Sequence, residues 1–445
     1  MSAAHNRCII NDMKIYISGI SGTGMGPLAL MAKAAGYEVC GTDLSRGAVY
    51  DELVKAGIEV MIGEQDGGYL QTKLKQGVDW FCYTSALPED HPELMLARKS
   101  GIKCTKRDDL TAFLVEKLGL KMIAVAGTHG KTTTTSMIVW AALKMGLPVA
   151  YIVGTTLGFA PSGAYKPGDK FFVYEADEYD RNFLKYHPWL AVIPAVSYDH
   201  PDIYPTKEDY EKAFGQFKEQ SDNVIEYRDG EIVSSSKENG DELNVLYKEQ
   251  DFDLAGKARR IDAALAANAV FGIERCEFEE KGMIVNYYKG TVVEVMNDYP
   301  GVGRRFERIA DGVYTDYAHH PEEIVATIEM AREEAEKLGK KGVVVVYQPH
   351  QNTRQHEVRD GYSDAFEGVD KIYWLPTYLT REDPDLPVLA PQELIDGLTN
   401  SDVAEPAQLS QDLEDALNEY LRKNYMVILM TAGPADAWMR EKFGL

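Results

Sequence analysis

AGTHGKTTTT, residues 126–135, is a glycine-rich loop that ends in a lysine and four threonines. The apolar run MIAV at residues 122–125 leads into it, and a helical pattern of apolar residues follows it. A strand, a glycine loop and a lysine–hydroxyl pair at a helix start are the layout of a phosphate-binding loop, in which backbone amides bind phosphate oxygens. We therefore expect Lys131 to reach the β- and γ-phosphates of ATP and Thr132 to ligate Mg²⁺. The stretch predicts an α/β domain that binds a nucleoside triphosphate.

This loop departs from the common G-x-x-x-x-G-K-[ST] spacing, because only two residues separate its glycines. A helix start with an incidental lysine is the alternative interpretation, and the flanking strand and helix disfavour it. The loop residues expected to contact the nucleotide are Gly127, Thr128, His129, Gly130, Lys131, Thr132 and Thr133.

The composition limits the class of protein. The chain has 445 residues, of which 45% are hydrophobic, so it can bury several cores, and three domains are the natural expectation. A net charge of −23 disfavours nucleic acid or an anionic membrane surface as a partner. The five cysteines form neither a C-x-x-C pair nor a metal-binding spacing. With no apolar secretory segment and no run of ~20 apolar residues, we expect a soluble cytoplasmic protein.

A second glycine-rich turn follows the first predicted strand. The strand KIYISGI at residues 14–20 runs into GISGTGMG at residues 19–26, and a helix and a strand that ends at Asp43 follow. Such a β-α-β unit binds the diphosphate of a dinucleotide or of a nucleotide-sugar, or simply lets a helix pack closely. Because the loop at residues 126–135 already supplies a nucleotide site, we favour the nucleotide-sugar.

Two strands of the predicted central domain end in polar clusters. FFVY at residues 171–174 leads to Glu175, and an apolar run at residues 191–196 leads to Asp199 and His200. A carboxylate at a strand end beside a phosphate-binding loop is where a further Mg²⁺ contact is expected. A lone histidine at a strand end is more often structural, but its place beside such a loop favours contact with a metal or a phosphate.

The last part of the chain repeats strand–helix units, which predicts another parallel sheet. Polar residues at the ends of its strands would line a ligand crevice, and these are His319, His320, His350 and Arg354. The polar stretch at residues 106–109 is the first predicted boundary, and the predicted domains are residues 1–108, 109–300 and 301–445.

Seven motifs follow one another along the chain: GISGTGMG, GTHGKTTTT, EADEYD, DH, GVGRRFE, DYAHHPEE and QPHQNTR. In this order they resemble the Mur ligases, the ATP-dependent amide ligases that build the peptide of peptidoglycan. The resemblance implies an α/β fold with a Rossmann-like UDP-sugar-binding domain, a central P-loop ATPase domain with a mostly parallel sheet, and a Rossmann-like domain that binds an amino acid.

The reaction that the resemblance implies joins the carboxylate of UDP-N-acetylmuramate to the amine of L-alanine. ATP and Mg²⁺ would first convert the carboxylate to an acyl phosphate, which the amine then attacks. The enzyme would make peptidoglycan precursors in the cytoplasm, as a monomer or a homodimer.

Carried onto this sequence, the resemblance assigns a role to each matching residue. Catalysis would depend on Lys131, Glu175, His200, Arg305 and His319. Mg²⁺ would be held by Thr132, Glu175 and His200. Beyond the loop, the nucleotide would contact Asp262, Arg305 and Asp316. The UDP-sugar and the amino acid would contact Gly19, Ser21, Gly22, Gly24, Asp43, Ser85, Tyr317, His319, His350 and Arg354.

Departures from the family pattern keep other functions open. The family's H-N-x-x-N run, which contacts adenosine, is replaced here around Asp262, whose carboxylate could still bind a ribose hydroxyl. EYD at residues 178–180 and DHPDI at residues 199–203 are typical of a relative that attaches the tripeptide L-Ala-γ-D-Glu-diaminopimelate. His350 and Arg354 favour a single amino acid, so we favour L-alanine. A non-catalytic paralogue that binds UDP-sugar and ATP is the third possibility, and it would not need Lys131, Glu175 or His319.

Overall fold

The computed structural model describes residues 13–84, 86–200, 203–237, 245–281, 289–380 and 382–444. The chain divides into two compact units. The first comprises Met1–Phe252 and Ile261–Pro300, and the second comprises Asp253–Arg260 and Gly301–Leu445. Two sheets lie in the first unit and one lies in the second.

The first sheet is parallel throughout. Its strands are β1 (Lys14–Ser18), β2 (Glu38–Asp43), β3 (Glu59–Ile62), β4 (Trp80–Tyr83) and β5 (Lys103–Lys106), in the order β3-β2-β1-β4-β5. Its helices are α1 (Gly26–Ala34), α2 (Tyr50–Lys55), α3 (Gly68–Leu74), α4 (Pro92–Lys99) and α5 (Arg107–Leu118). The strand order reverses between β1 and β4, and ligands of open α/β sheets bind at such a point. The glycine turn that follows β1 lies there.

The second sheet has seven strands. They are β6 (Lys121–Val125), β7 (Val149–Ile152), β8 (Gly163–Ala164), β9 (Phe171–Glu175), β10 (Leu190–Ile193), β11 (Asn223–Arg228) and β12 (Glu231–Ser236). The order is β12-β11-β10-β6-β9-β7-β8, with only the edge strands β12 and β8 antiparallel to their neighbours. Its helices are α6 (Lys131–Lys144), α7 (Lys207–Gln220), α8 (Lys257–Glu280) and α9 (Lys289–Asn297). Because β10, β6 and β9 are neighbours, the loops at their carboxyl ends meet.

The third sheet has six strands. They are β13 (Glu307–Ala310), β14 (Val313–Asp316), β15 (Val343–Gln348), β16 (Lys371–Trp374), β17 (Ala404–Pro406) and β18 (Met426–Thr431), in the order β13-β14-β18-β15-β16-β17. Only β13 is antiparallel to its neighbour. Its helices are α10 (Pro321–Lys337), α11 (Asn352–Val358), α12 (Pro391–Ile395), α13 (Gln411–Arg422) and α14 (Ala435–Phe443). Strands β15 and β18 are buried throughout, as expected of parallel strands covered on both faces.

The predicted fold class, α/β with three mostly parallel sheets, is confirmed. Individual strand ends differ by a few residues. The apolar run at residues 191–196 stops being a strand at Ile193, because Pro194 cannot donate a hydrogen bond to the ladder. Among the described residues, no helix is both long enough and apolar enough to cross a membrane.

The first predicted boundary falls at the start of a helix. In the polar stretch at residues 106–109, helix α5 begins at Arg107 directly after β5. The stretch is polar because acidic residues in the first turn of a helix interact favourably with its dipole. The helix packs Leu110 and Leu114 into the core, and the domain boundary itself stays a prediction.

Candidate functional site

Close contacts require the glycines of the loop at residues 126–135. Gly130 has a φ of 82°, and a Cβ at this position would lie 2.7 Å from Oδ1 of Asp262. A Cβ on Gly127 would lie 2.6 Å from the carbonyl oxygen of Ala195. At these two positions there is no room for a side chain. Such glycines let a loop bring its backbone amides close to a phosphate.

Thr128 positions the loop, because its polar groups are already engaged inside the protein. Its amide donates to the carbonyl oxygen of Ala195 at 2.9 Å, and its hydroxyl donates to that of Ser197 at 2.6 Å. Asp262 lies beside the loop as predicted, and its Oδ1 accepts a hydrogen bond from the Thr134 hydroxyl at 3.0 Å. Of the other predicted side chains of the loop, Thr132 is buried, and three remain partly exposed: His129, Lys131 and Thr133.

Lys131 is the first residue of α6. Its ammonium forms an ion pair with Glu178, a carboxylate to which the sequence motifs assign no role. The Lys131 Nζ donates to Glu178 at 2.9 Å and to the carbonyl oxygen of Gly127 at 2.6 Å. The Glu178 side chain is only 2% exposed. Burial alone would lower the pKa of Lys131, but the charges of Glu178 and Glu175 raise it, so the ammonium stays charged.

The hydroxyl and carboxylate predicted to hold a metal lie together. The Thr132 Oγ1 is 3.0 Å from each carboxylate oxygen of Glu175, which ends the neighbouring strand β9. Hydroxyl and carboxylate oxygens are the ligands that Mg²⁺ prefers, so this pair fits a magnesium ion.

The loop after β10 brings His200 next to Glu178, the partner of Lys131. Its Nε2 lies 3.6 Å from Oε1 of Glu178 and 3.6 Å from Oδ2 of Asp199. Burial alone would lower the pKa of His200, but the adjacent carboxylates of Glu178 and Asp199 raise it above its ordinary value. The histidine therefore approaches the lysine of the loop through their shared partner, Glu178.

The glycine turn after β1 lines a cavity of about 450 Å³. The cavity wall includes Gly19, Gly22, Gly24, Asp43, Arg107 and Asn182. Ser21 is fully buried behind the turn, where its amide donates to Oδ2 of Asp43 at 2.9 Å. Ser21 and Asp43 therefore hold the turn in shape. Ser85 lies outside the described residues.

In the second unit, the segments before β13, after β14 and after β15 bring five predicted residues together. The rings of His319 and His350 are 5.9 Å apart, and the rings of Tyr317 and His319 are 5.6 Å apart. The Arg305 guanidinium lies 5.0 Å from the centre of the Tyr317 ring. Arg354, in α11, is close enough that its charge lowers the pKa of His319. The Arg354 guanidinium makes no hydrogen bond or ion pair within the described ranges, so it is available to an anion.

Asp316 is a buried carboxylate held by two backbone amides, and its predicted contact with the nucleotide stays a prediction. It is 5% exposed and accepts hydrogen bonds from the amides of Phe306, at 2.6 Å, and Ala318, at 2.7 Å. Burial raises the pKa of Asp316, and the charge of Arg305 opposes that rise. The residue fixes the two loops that carry Arg305 and Tyr317.

The hydrogen bonds of His319 leave its second ring nitrogen available as a base. Nδ1 lies 3.0 Å from the carbonyl oxygen of Tyr317 and 3.2 Å from Oε2 of Glu323. Both neighbours are acceptors, so the neutral ring carries its proton on Nδ1, and the lone pair is on Nε2.

We expect His319 to be neutral at pH 7. Burial lowers the pKa of His319, Glu323 acts against this, and Arg354 adds to it. Because the folded-state pKa lies below the ordinary value of about 6.5, the stability contributed by the neutral ring is present above that value. That stability is lost as the pH falls through the folded-state pKa. An NMR titration should give a midpoint below about 6.5 for this ring, assigned by its loss in His319→Gln.

Two variants test the cause of this shift. Glu323→Gln should lower the His319 midpoint further, and Arg354→Gln should raise it. Shifts in the same direction in both variants would contradict the electrostatic explanation.

Models of the Mur ligase family match three stretches of the chain. They are described as "Mur ligase family, catalytic domain" at residues 14–117, "Mur ligase middle domain" at residues 125–269, and "Mur ligase, glutamate ligase domain" at residues 304–433.

Relatives and solved structures match the chain over nearly its whole length. The UDP-N-acetylmuramate–L-alanine ligase of Clostridium acetobutylicum is 30% identical over 96% of this chain and 97% of the relative. The ligase of the same name from Fusobacterium nucleatum is 30% identical over 96% of both. The crystal structure of UDP-N-acetylmuramate-alanine ligase from Thermotoga maritima has a TM-score of 0.72 at 22% identity, covering 97% of this chain and 98% of the other. A murein peptide ligase from Psychrobacter arcticus has a TM-score of 0.56 at 21% identity, with the same coverage.

Proposed function

The chain belongs to the Mur ligase family, and from this premise we propose that it joins UDP-N-acetylmuramate to L-alanine at the expense of ATP. The observation that carries the proposal is the arrangement at the carboxyl edge of the second sheet. There a lysine paired with a buried glutamate, a hydroxyl–carboxylate pair and a histidine surround the glycine loop. The full-length relatives at 30% identity carry the name of this activity.

The chemistry explains why such an arrangement is needed. A carboxylate does not condense with an amine in water, so ATP must first convert it to an acyl phosphate. That step brings several negative charges together, and Lys131 would neutralise part of this charge at the γ-phosphate. Thr132 and Glu175 would hold Mg²⁺, which supplies the remaining positive charge. His200 would lie beside these three residues, Lys131, Thr132 and Glu175.

The second unit would bind the amino acid. A guanidinium that has no partner among the described residues suits the amino acid's carboxylate, and Arg354 is such a group. The amine must lose a proton before it attacks, and a neutral His319 has its Nε2 lone pair available to accept one. We propose that the reaction takes place in the cytoplasm, where ATP is available.

We expect Arg354→Ala to weaken binding of L-alanine far more than it slows turnover. Loss of a charge-assisted pair to a carboxylate should raise the KM for L-alanine by about 10–100-fold, with kcat changed only a few-fold. Steady-state phosphate release at varied L-alanine measures both. Arg359→Ala is the matched control, since that arginine is exposed and follows the same helix. An unchanged KM would remove Arg354 from the carboxylate-binding role.

The experiment that tests the function is phosphate release from ATP in the presence of UDP-N-acetylmuramate and one amine at a time. The amines are L-alanine, glycine, L-serine and L-Ala-γ-D-Glu-diaminopimelate. Strong stimulation by L-alanine supports the proposal. Stimulation by the tripeptide alone would make the protein a ligase of the recycling type, and no stimulation by any amine would favour a non-catalytic paralogue.

A further inference from the structure

Arg107 is a cation of the first unit that no motif assigns to a site. It is the first residue of α5, and its side chain is 26% exposed in the wall of the cavity of about 450 Å³. A Cβ added to Gly24 would lie 3.0 Å from the Nη1 of Arg107. The guanidinium therefore packs directly against the glycine turn.

The adjacent carboxylate of Asp108 approaches this guanidinium at Nε and leaves its Nη groups for a ligand. The Nε of Arg107 lies 3.5 Å from Oδ1 of Asp108, which is an ion-pair distance rather than a hydrogen bond. That same oxygen accepts hydrogen bonds from the hydroxyls of Tyr174, at 3.1 Å, and Tyr186, at 3.0 Å. Arg107 thus shares this one oxygen of Asp108 with two tyrosines. Within the part of the chain that the structure describes, the Nη groups of Arg107 make no hydrogen bond.

The cavity wall holds two cations, Lys106 and Arg107, each with one ion-pair partner, and Arg107 is the one that packs against the glycine turn. Asp43 accepts from the amide of Ser21, and Asp177 accepts from the amide of Tyr179. Lys106 lies 3.8 Å from Oδ2 of Asp180. A diphosphate entering a cavity with so many carboxylates needs a cation aimed at it, and a guanidinium can bind two phosphate oxygens at once.

We propose that Arg107 binds the diphosphate of the UDP-sugar against the glycine turn. The inference rests on the proposed function, because it takes the UDP-sugar as the occupant of this cavity. It makes the start of α5 part of the substrate site and gives Arg107 a direct binding role. Arg107 then sets the preference for a nucleoside diphosphate over the nucleoside alone.

Calorimetric titration without ATP tests this role, with UDP-N-acetylmuramate, UDP and uridine as ligands. Arg107→Gln should weaken binding of the two diphosphates by at least about 30-fold and leave uridine within about threefold of wild type. Arg107→Lys keeps the charge but loses the planar fork, so it should bind UDP more tightly than Arg107→Gln and less tightly than wild type. Arg98→Gln is the matched control, because it removes an exposed arginine of the same sheet's helix α4.

Equal losses for UDP and uridine in Arg107→Gln, or no loss for UDP, would overturn the assignment. So would a larger loss for UDP in Lys106→Gln than in Arg107→Gln. If Arg107→Gln does not fold, Arg107→Lys is the deciding variant. Weaker binding of the diphosphates with unchanged binding of uridine supports the role, and the absence of such a selective loss refutes it. A wild-type protein that binds neither diphosphate overturns the inference together with the proposed substrate. Tight, Arg107-dependent binding without phosphate release by any amine would overturn the proposed reaction alone.

Discussion

Replacing Lys131 with alanine is expected to abolish ATP-dependent phosphate release while leaving the binding of UDP-N-acetylmuramate nearly intact. The ammonium is the charged group of the phosphate-binding loop, and loss of such a group should lower kcat by at least about a thousandfold. The glycine turn after β1 and its cavity involve other residues, so UDP-sugar affinity should stay within a few-fold of wild type. Phosphate release and calorimetric titration measure the two quantities. Loss of both in a folded protein would contradict this division of roles.

Lys131→Ala also leaves the buried Glu178 without its main counter-ion, so stability must be measured together with activity. Breaking such a pair typically lowers the free energy of unfolding by about 3–5 kcal/mol. The double variant Lys131→Ala/Glu178→Gln removes the stranded charge, so it should recover stability without recovering activity. Lys144→Ala, at the exposed end of the same helix, is the matched control and should retain both. Recovery of activity in the double variant would show that the single variant had failed through misfolding.

Replacing Glu175 with glutamine is expected to have the second-largest effect. Glutamine has nearly the same size, but it removes the negative charge that faces the Thr132 hydroxyl. In the proposed function Glu175 would hold a metal ion that supplies several kcal/mol of transition-state stabilisation, so kcat should fall by at least about a hundredfold. Because the remaining site binds the ion more weakly, the Mg²⁺ concentration for half-maximal activity should rise. Phosphate release over a Mg²⁺ series gives both values.

A matched variant separates this effect from a general loss of charge. Glu231→Gln removes an exposed carboxylate from strand β12 of the same sheet and should leave both values unchanged. If Glu175→Gln kept a normal Mg²⁺ dependence, Glu175 would not be a metal ligand.

The sequence predicts those parts of the site that lie within one continuous motif. Lys131 and Thr132 follow a glycine loop at a helix start, and Glu175 ends an obvious apolar strand. Each of these is a local pattern with a local physical cause. Their meeting point was also predictable, because carboxyl ends of neighbouring parallel strands lie at one edge of a sheet.

Partnerships between distant residues were not predictable in this way. Glu178 lies 47 positions from Lys131, and nothing in EADEYD distinguishes its second glutamate as the partner of the lysine. Asp316 ends strand β14, where a ligand-facing carboxylate is expected, yet two backbone amides donate hydrogen bonds to it. Arg107 stands in a polar stretch that resembles a linker until the helix is seen. In each case the sequence gives the type of residue, but its interaction partner depends on how the chain folds.

The first two sheets share one continuous apolar core. Ile17 of β1, Leu114 of α5, Ala124 of β6 and Tyr174 of β9 all belong to it. The backbone of Gly163 in β8 also lies directly against α1, where a Cβ would meet the carbonyl oxygen of Pro27 at 2.1 Å. The family domains at residues 14–117 and 125–269 are therefore separate units of sequence similarity, but they share one hydrophobic core and are not separate folding units. If either of these two family domains is exchanged between relatives, the buried surfaces that they share must still match. The two domains are therefore constrained to evolve together.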